Sequence, residues 1–259
     1  MILVLNELKW VEEKIQYPVL DGSSYIVLTR VARYYIDKGY SKEDVRKECE
    51  RYILRCDPKA SIPKWSDLID SSIKKAYKRE LTVIPEITVC KSETDKIWKS
   101  LNSPVQRRLA FTLLVISKYW DTVNPKNDHW VNCEEKDIMK MANIRGSTKR
   151  VSELFAALRD AGLIKFADRV DSLNIKVLFH CDGEKIISVR DMRNIGYQYE
   201  KYRGGNYFEC KNCGITTKLR SPNKGRNQMY CDECAAKIDL RNRVNSVMRR
   251  RSVGSLLKT

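Results

Sequence analysis

Apolar residues recur at helical spacing through the first hundred residues of the chain. Residues 3–15, 24–38, 41–55 and 64–79 each place apolar side chains three or four positions apart, which predicts four amphipathic helices. Ser41 is a suitable N-cap for the third helix. The charged residues of this region have both signs and are predicted to lie on solvated faces. Five large aromatic residues are predicted to pack in the core or at an interface: Trp10, Tyr34, Tyr35, Tyr52 and Trp65.

Helical and strand-like patterns alternate between residues 87 and 180. A short strand at 87–89 and a helix from Ser92 precede Pro104, which is a favourable first residue for a longer helix. The apolar stripe of that helix consists of Val105, Leu109, Leu113, Ile116 and Trp120. Residues 121–132 are predicted as a loop and residues 134–142 as a short second helix.

A third helix is predicted to follow the tight turn at residues 143–146. Ser147 is a suitable N-cap, and the helix ends before Gly162, where a residue that tolerates positive φ ends helices readily. Residues 163–166 and 175–179 then have the pattern of two strands. The buried face of the third helix is predicted to consist of Val151, Leu154, Phe155 and Leu158.

This order of elements is similar to that of the winged helix-turn-helix family. The string EEKDIMKMANIRGSTKRVSELFAALRDAGLIKF carries the resemblance, above all at its end, LRDAGLIKF, where the third helix turns into the wing. The resemblance implies that the third helix lies in the major groove of DNA and that its first turns contact bases or phosphates. Some members of the family contact proteins instead, and that alternative stays open. The implied contact residues are Arg145, Ser147, Thr148, Lys149, Arg150 and Ser152, with Arg169 at the tip of the wing.

Two C-x-x-C pairs near the end of the chain predict a structural zinc site. Cys210 and Cys213 are separated by 17 residues from Cys231 and Cys234, a spacing suited to a hairpin between two metal-binding knuckles. Four thiolates complete a closed tetrahedron around Zn²⁺ and leave no position for a catalytic water. Gly214 follows the first pair, where a tight turn requires positive φ. The alternatives are a redox dithiol, which needs one such pair, and cysteines buried without a metal ion.

A strand at residues 215–220, a turn at 221–225 and a helix that carries the second cysteine pair complete this segment. The order of knuckle, hairpin and helix resembles the treble-clef group of zinc ribbons. The sequence therefore predicts a mainly α protein in three parts. These are a helical domain at residues 1–100, a winged helix-turn-helix at 101–190, and a four-cysteine zinc ribbon with a basic C-terminal helix at 200–259.

The formal net charge of +16 predicts a polyanionic partner. Residues 200–259 carry 14 Lys and Arg against five Asp and Glu, a net charge of +9. No acidic residue follows Asp239, which favours phosphate contacts over an ordinary solvated helix. The basic tail consists of Arg241, Arg243, Arg249, Arg250 and Arg251.

Membrane insertion and export are not expected. The first apolar run is interrupted by Glu7 and Lys9, and no later stretch approaches the length of a membrane span. We therefore expect a cytoplasmic protein. The sequence also lacks the phosphate-binding, dinucleotide-binding and metalloprotease motifs, so we do not expect an enzyme.

Together these features lead to one main functional hypothesis and two alternatives. The layout resembles that of phage and mobile-element proteins that combine a DNA-binding helix-turn-helix with a terminal zinc ribbon. That resemblance implies sequence-specific binding of double-stranded DNA to control transcription or replication of the element. The first alternative is a host-directed inhibitor, such as an anti-defence factor, that binds an RNA or ribonucleoprotein through its basic surface. The second is an enzyme of nucleic-acid processing. A host protein or a second copy of the chain is a further candidate partner of the N-terminal helices.

Overall fold

The computed structural model describes residues 3–20, 23–168, 174–220 and 228–256, the last range without the side chains of residues 244 and 247–256. Within these ranges the chain is mainly helical, as predicted. The helices are α1 (Glu7–Gln16), α2 (Ser24–Asp37), α3 (Lys42–Cys56), α4 (Ile62–Ala76), α5 (Lys91–Ser100), α6 (Pro104–Val123), α7 (Glu135–Met141), α8 (Thr148–Asp160), α9 (Ile195–Tyr202) and α10 (Asp232–Leu256). The strands are β1 (Ile87–Cys90), β2 (Trp130–Val131), β3 (Ile164–Phe166), β4 (Ile175–Val177), β5 (Lys185–Val189), β6 (Tyr207–Glu209) and β7 (Thr216–Lys218).

Among the described residues, the strands form three small sheets. β1 pairs with β5, β6 pairs with β7, and the third sheet has the order β2-β4-β3. β2 runs antiparallel to β4, with Trp130 opposite Lys176 and Val131 opposite Ile175. Residues 130–131 were predicted to be part of a loop, and that prediction is wrong. A strand of two residues is too short for its apolar pattern to be recognised, and its pairing with β4 is a long-range interaction.

The chain divides into two compact units, each built from three segments. Unit 1 consists of Met1–Ile87, Ile116–Asp137 and Phe166–Val177. Unit 2 consists of Thr88–Val115, Ile138–Lys165 and Leu178–Thr259.

The core of unit 1 is formed by its first four helices. α2 packs against both α3 and α4, which also pack against each other. Ser41 caps α3, its hydroxyl accepting a hydrogen bond from the backbone N–H of Asp44, as predicted. The aromatic residues predicted to be in the core are there: Tyr52 is buried, and Trp10, Tyr34, Tyr35 and Trp65 pack against the buried apolar cluster.

One carboxylate of unit 1 is fully buried among arginines. The Glu7 side chain is 0% exposed, and its Oε1 accepts a hydrogen bond from Arg30 Nε at 2.8 Å. Arg79 binds both carboxylate oxygens at 2.9 Å, and Arg33 lies 3.8 Å away. Arg30 also stacks on Trp10, with its Cζ atom 4.8 Å from the ring centroid. The prediction that the charges of this region lie on solvated faces is therefore wrong for Glu7, Arg30 and Arg33, all of which are buried.

The arginines and the backbone determine the ionisation of Glu7. Burial alone raises the pKa of its carboxyl group. The hydrogen bonds from Arg79 and from the Thr82 backbone N–H, together with the charges of Arg30 and Arg79, outweigh burial and lower the pKa to about 2. Glu7 is therefore a carboxylate throughout the neutral pH range, and its charge partly neutralises the buried guanidinium groups.

The core of unit 2 includes the first part of α6, the end of α7 and α8. Every residue of α6 from 109 to 115 is buried, so this part of the helix is not limited to the single apolar stripe that was predicted. In α8 the predicted set of four, Val151, Leu154, Phe155 and Leu158, forms the buried face. The N-cap Ser147 and the positive φ of Gly162 (+67°) agree with the predicted ends of α8.

Strand β5 and helix α9 belong to the same unit and were not predicted. α9 begins after Asn194, which has a φ of +53°. Its second residue, Gly196, is buried against the end of α7. A Cβ atom at this position would lie 2.9 Å from the carbonyl carbon of Ala142 and still closer to its oxygen. Only glycine therefore allows the two backbones to approach this closely.

Replacing Glu7 with Gln is expected to destabilise unit 1 by about 3 kcal/mol, because the arginines would stay buried without their counter-charge. Because the folded pKa of about 2 lies below the ordinary value of 4.5, the contribution of Glu7 is complete above pH 4.5 and is lost as the pH falls toward 2. Urea unfolding at several pH values tests this. The control is Glu12→Gln, which changes an exposed residue of the same helix. Equal stability of the two variants at pH 7 would contradict the expectation.

Replacing Gly196 with Ala is expected to lower the free energy of unfolding by about 1–3 kcal/mol, because the added methyl group overlaps the backbone of Ala142. Thermal or urea unfolding measures the change. Gly183→Ala is a matched control, because its Cβ atom would meet its nearest neighbour, Ser92 Oγ, at 3.6 Å, an ordinary contact distance. A Gly196→Ala protein as stable as this control would contradict the close approach.

Candidate metal centre and basic surfaces

The four cysteines predicted to bind a metal ion converge on one point of unit 2. The Sγ atoms of Cys210, Cys213, Cys231 and Cys234 all lie within 4.8 Å of one another. Cys213 Sγ and Cys231 Sγ are 3.7 Å apart. Three of the four residues are buried and Cys213 is half-buried. The spacing of the cysteines in the sequence is therefore matched by a cluster in space.

A short hairpin presents the first cysteine pair. β6 and β7 are antiparallel, with Glu209 opposite Thr216. Beyond this pair, Cys210 N donates a hydrogen bond to Ile215 O at 3.0 Å, and Gly214 N donates to Cys210 O at 2.9 Å. The φ of Gly214 is +73°, which agrees with the predicted need for glycine in this knuckle.

The start of α10 presents the second pair. Cys231 directly precedes the helix and Cys234 lies in its first turn, where Ala235 N donates to Cys231 O at 2.9 Å. A further backbone hydrogen bond, from Lys211 N to Met229 O at 2.9 Å, joins the two knuckles. A helix N-terminus favours negative charge, so the position suits thiolates. Residues 221–225, predicted to form the turn of the hairpin, lie outside the described residues.

The environment of the sulfur atoms differs from one cysteine to another. Burial raises the pKa of the Cys210 thiol, but hydrogen bonds from the backbone N–H groups of Cys231, Cys213 and Asn212 outweigh it and lower the pKa to about 6. Burial raises the pKa of the other three thiols. Asn212 Nδ2 also donates to Cys234 Sγ at 3.2 Å. N–H groups directed at clustered sulfur atoms are a suitable setting for thiolates, so this donor set fits a metal ion.

Two residues outside the cysteine motif tie the first knuckle to the start of α9. Arg193 Nη2 donates to Cys213 O at 2.9 Å, and Asn194 Nδ2 donates to Thr216 O at 3.0 Å. Arg193 is itself paired with Asp191. Tyr197 of α9 stacks against Tyr207 of β6, with ring centroids 4.8 Å apart. Sequence reasoning missed these supports, because side chains that bind backbone carbonyls across the chain leave no pattern in the sequence.

The predicted nucleic-acid contacts of α8 and of the turn before it are all exposed. The turn before α8 is closed by the hydrogen bond from Ile144 N to Met139 O at 2.9 Å, and Ile144 is buried. Arg150 is 3.7 Å from Glu153, an exposed ion pair that leaves it accessible. The exposed residues of the turn and the first turns of α8 are Arg145, Ser147, Thr148, Lys149, Arg150 and Ser152.

The basic tail lies on the long helix α10. Arg241 and Arg243 are exposed. Arg249, Arg250 and Arg251 continue the same helix. Arg169, predicted to lie at the tip of the wing, is outside the described residues.

Within the described part of the chain, no helix combines the length and the apolar character that crossing a bilayer requires. In comparisons with known proteins, no protein-family model, no curated protein and no solved structure matched this chain.

Removal of the metal is expected to unfold the region that contains the cysteine cluster. Purified full-length protein should contain one metal ion per chain by elemental analysis, and chelation should remove hydrogen-exchange protection from β6, β7 and the start of α10. The Cys231→Ser variant should contain no bound metal ion and should show the same loss of hydrogen-exchange protection. The control is Cys181→Ser, which changes an exposed cysteine outside the cluster. Metal-free protein that keeps full protection in this region would refute the expectation.

Proposed function

We propose that this chain binds a specific sequence of double-stranded DNA, with α8 as its recognition helix. The observation that carries the proposal is the division of α8 into two faces. Val151, Leu154 and Phe155 are buried, and Lys149 and Arg150 are exposed beside them in the first turns. A helix anchored by its apolar face and basic at its exposed N-terminal end has the form required to enter the major groove.

The order of the elements supports a winged helix-turn-helix around α8. Three helices, α6, α7 and α8, are followed by the strands β3 and β4. β2 lies between α6 and α7 in the chain and pairs with β4, so the sheet order is β2-β4-β3. In this interpretation β3 and β4 form the wing, and the turn at 142–147 joins the two helices of the helix-turn-helix.

The metal of the cysteine cluster is proposed to be a structural Zn²⁺ ion. Four thiolates are a preferred ligand set for zinc, and a regular tetrahedron with Zn–S bonds of about 2.3 Å has edges of about 3.8 Å. The 3.7 Å between Cys213 Sγ and Cys231 Sγ agrees with such an edge. With four protein ligands the ion has no open position, so its role is to hold the hairpin and α10 together.

The remaining basic residues are proposed to supply affinity that does not depend on sequence. Arg241 and Arg243 are exposed on α10, and the arginine run of residues 249–251 follows them on the same helix. Contacts from such a helix to phosphates position a protein on DNA without reading bases. Control of transcription or replication of a phage or mobile element is the proposed role, and the cytoplasm its proposed location. Both rest on the resemblance in layout, and no catalytic step is part of the proposal.

Specific binding is expected to depend on Lys149 and Arg150. Selection from a random duplex library should recover a preferred sequence, and replacing both residues with Ala should weaken binding to it about tenfold or more. If about six phosphates are neutralised, the slope of log affinity against log salt should be roughly −5 for the wild-type protein. Fluorescence anisotropy measures both quantities.

The control for this experiment is Arg159→Ala, which removes an exposed charge from the opposite end of α8. Circular dichroism should show that all variants remain folded. Unchanged affinity in the Lys149/Arg150 variant would show that α8 is not the recognition helix. A failure to select any preferred duplex, together with recovery of RNA from a host lysate, would favour the host-directed inhibitor.

A further inference from the structure

Two arginines of unit 2 stack on the same exposed tryptophan. The Cζ atom of Arg107 lies 3.5 Å from the ring centroid of Trp98, and that of Arg203 lies 3.8 Å from it. Trp98 is 43% exposed. The two Cζ atoms are therefore at most about 7 Å apart, which is within a Debye length of about 8 Å at physiological ionic strength.

Three helices contribute to this arrangement, which we call the arginine clamp (Trp98, Arg107 and Arg203). Trp98 lies near the end of α5, Arg107 in the first turns of α6, and Arg203 directly after α9. Arg107 Nε donates to the backbone oxygen of Leu101 at 2.8 Å, which fixes the plane of its guanidinium group. The backbone N–H of Arg203 donates to Tyr199 O at 3.0 Å. The clamp is thus fixed to regular structure at each of its residues.

Neither arginine of the clamp has a carboxylate partner among the described residues. Other arginines of unit 2 do have one: Arg159 binds Asp160 at 2.8 Å, and Arg193 binds Asp191. Two adjacent positive charges without an acidic partner repel each other, and the face of an aromatic ring compensates only part of that cost. An anion at the clamp would remove the repulsion.

In the described part of the chain, two buried polar atoms without hydrogen-bond partners belong to residues of unit 2 that are close in the chain to the clamp arginines. The hydroxyl group of Tyr199, a residue that is 1% exposed, has no hydrogen-bond partner among the described residues, and neither has Nε of Arg108. Burial raises the pKa of Tyr199, and the charges of Arg203 and Arg107 oppose that rise, so the hydroxyl group lies within their field. A buried polar group without a partner is uncommon in folded proteins and requires an explanation.

We propose that the arginine clamp binds a phosphate group, with Arg107 and Arg203 as its ligands and Trp98 as a positioning residue. The planar guanidinium group presents paired N–H donors that match the oxygen atoms of a phosphate. Stacking on Trp98 orients both groups before the phosphate arrives, so less conformational freedom is lost on binding. When the phosphate belongs to the backbone of duplex DNA, the proposal rests on the proposed function, and the clamp is a contact additional to α8 and α10.

The experiment compares the full-length protein with the double variant Arg107→Gln/Arg203→Gln. Arg51→Gln/Arg55→Gln is the matched control, because it removes two exposed arginines from α3 in unit 1. In one arm, binding to a fixed duplex is measured against salt concentration. The double variant should reduce the magnitude of the slope by about 1.8, the value for two neutralised charges, and the control should leave it unchanged.

The second arm uses inorganic phosphate and needs no DNA. Phosphate should shift the indole N–H resonance of Trp98, assigned by its loss in Trp98→Phe, and an equal ionic strength of chloride should not. The Arg107/Arg203 variant should lose this shift. In the duplex arm, which does not depend on the indole resonance, Trp98→Leu should weaken binding about two- to fivefold, whereas Trp98→Phe, which keeps an aromatic face, should retain most of it.

The two arms distinguish the source of the phosphate. A reduced slope supports a clamp for the DNA backbone, whether or not free phosphate is bound. A phosphate-dependent shift with an unchanged slope supports a clamp for a small phosphate compound. If the wild-type protein binds no duplex, the proposed function fails. The measurement with inorganic phosphate then tests the arginine clamp by itself. No shift and no change of slope would overturn the clamp.

Discussion

Four sulfur atoms within 4.8 Å of one another are the constraint on which the C-terminal part of this protein depends. Thiolates this close repel one another, so they cannot all be ionised without a cation among them. The apolar residues around them are few: Ile215 and Tyr230 pack against the cluster of buried cysteines. A core of this size cannot compensate for the conformational entropy lost on folding, and a metal ion bound by the four sulfur atoms, as we propose, would supply the missing stabilisation.

Within unit 2, polar and steric contacts connect this cluster to the turn before α8. Arg193 and Asn194 bind backbone oxygens of the first knuckle and also lead into α9. Two residues later, Gly196 lies against the carbonyl group of Ala142, at the end of α7. The turn into α8 follows Ala142 directly. The cysteine cluster and the proposed recognition helix are thus joined through α9, and the proposed structural metal lies in the same framework as the proposed DNA contacts.

The charge of the chain is distributed in two different ways. In unit 1, the buried arginines Arg30 and Arg33 lie against the carboxylate of Glu7. In unit 2, basic residues of α8 and α10 and Arg203 of the arginine clamp are exposed, and Arg107 is half-buried. The clamp arginines have no carboxylate partner among the described residues. A net charge of +16 alone does not distinguish these arrangements. Only the exposed set can contribute to the attraction of a polyanion.

Features that depend on local spacing could be predicted from the amino-acid sequence. Helical periodicity predicted most of the described helices, including the buried face of α8, because residues three and four apart share a helix face. Ser41 and Ser147 were predicted as caps, and Gly214 as a residue with positive φ, because each conformation depends on its nearest neighbours in the chain. The cysteine cluster was predicted for a related reason: two C-x-x-C pairs at ribbon spacing are typical of four cysteines that bind one metal ion.

Features that join distant residues became visible in the folded chain alone. The burial of Glu7 among arginines depends on Arg79, 72 residues further along the chain, so the sequence suggested an ordinary solvated charge. The strand β2, the requirement for glycine at position 196 and the stacking of Arg107 and Arg203 on Trp98 are equally non-local. The spacing of apolar residues indicates which face of a helix or strand is buried. It does not indicate which other element packs against that face, because long-range packing determines the partner.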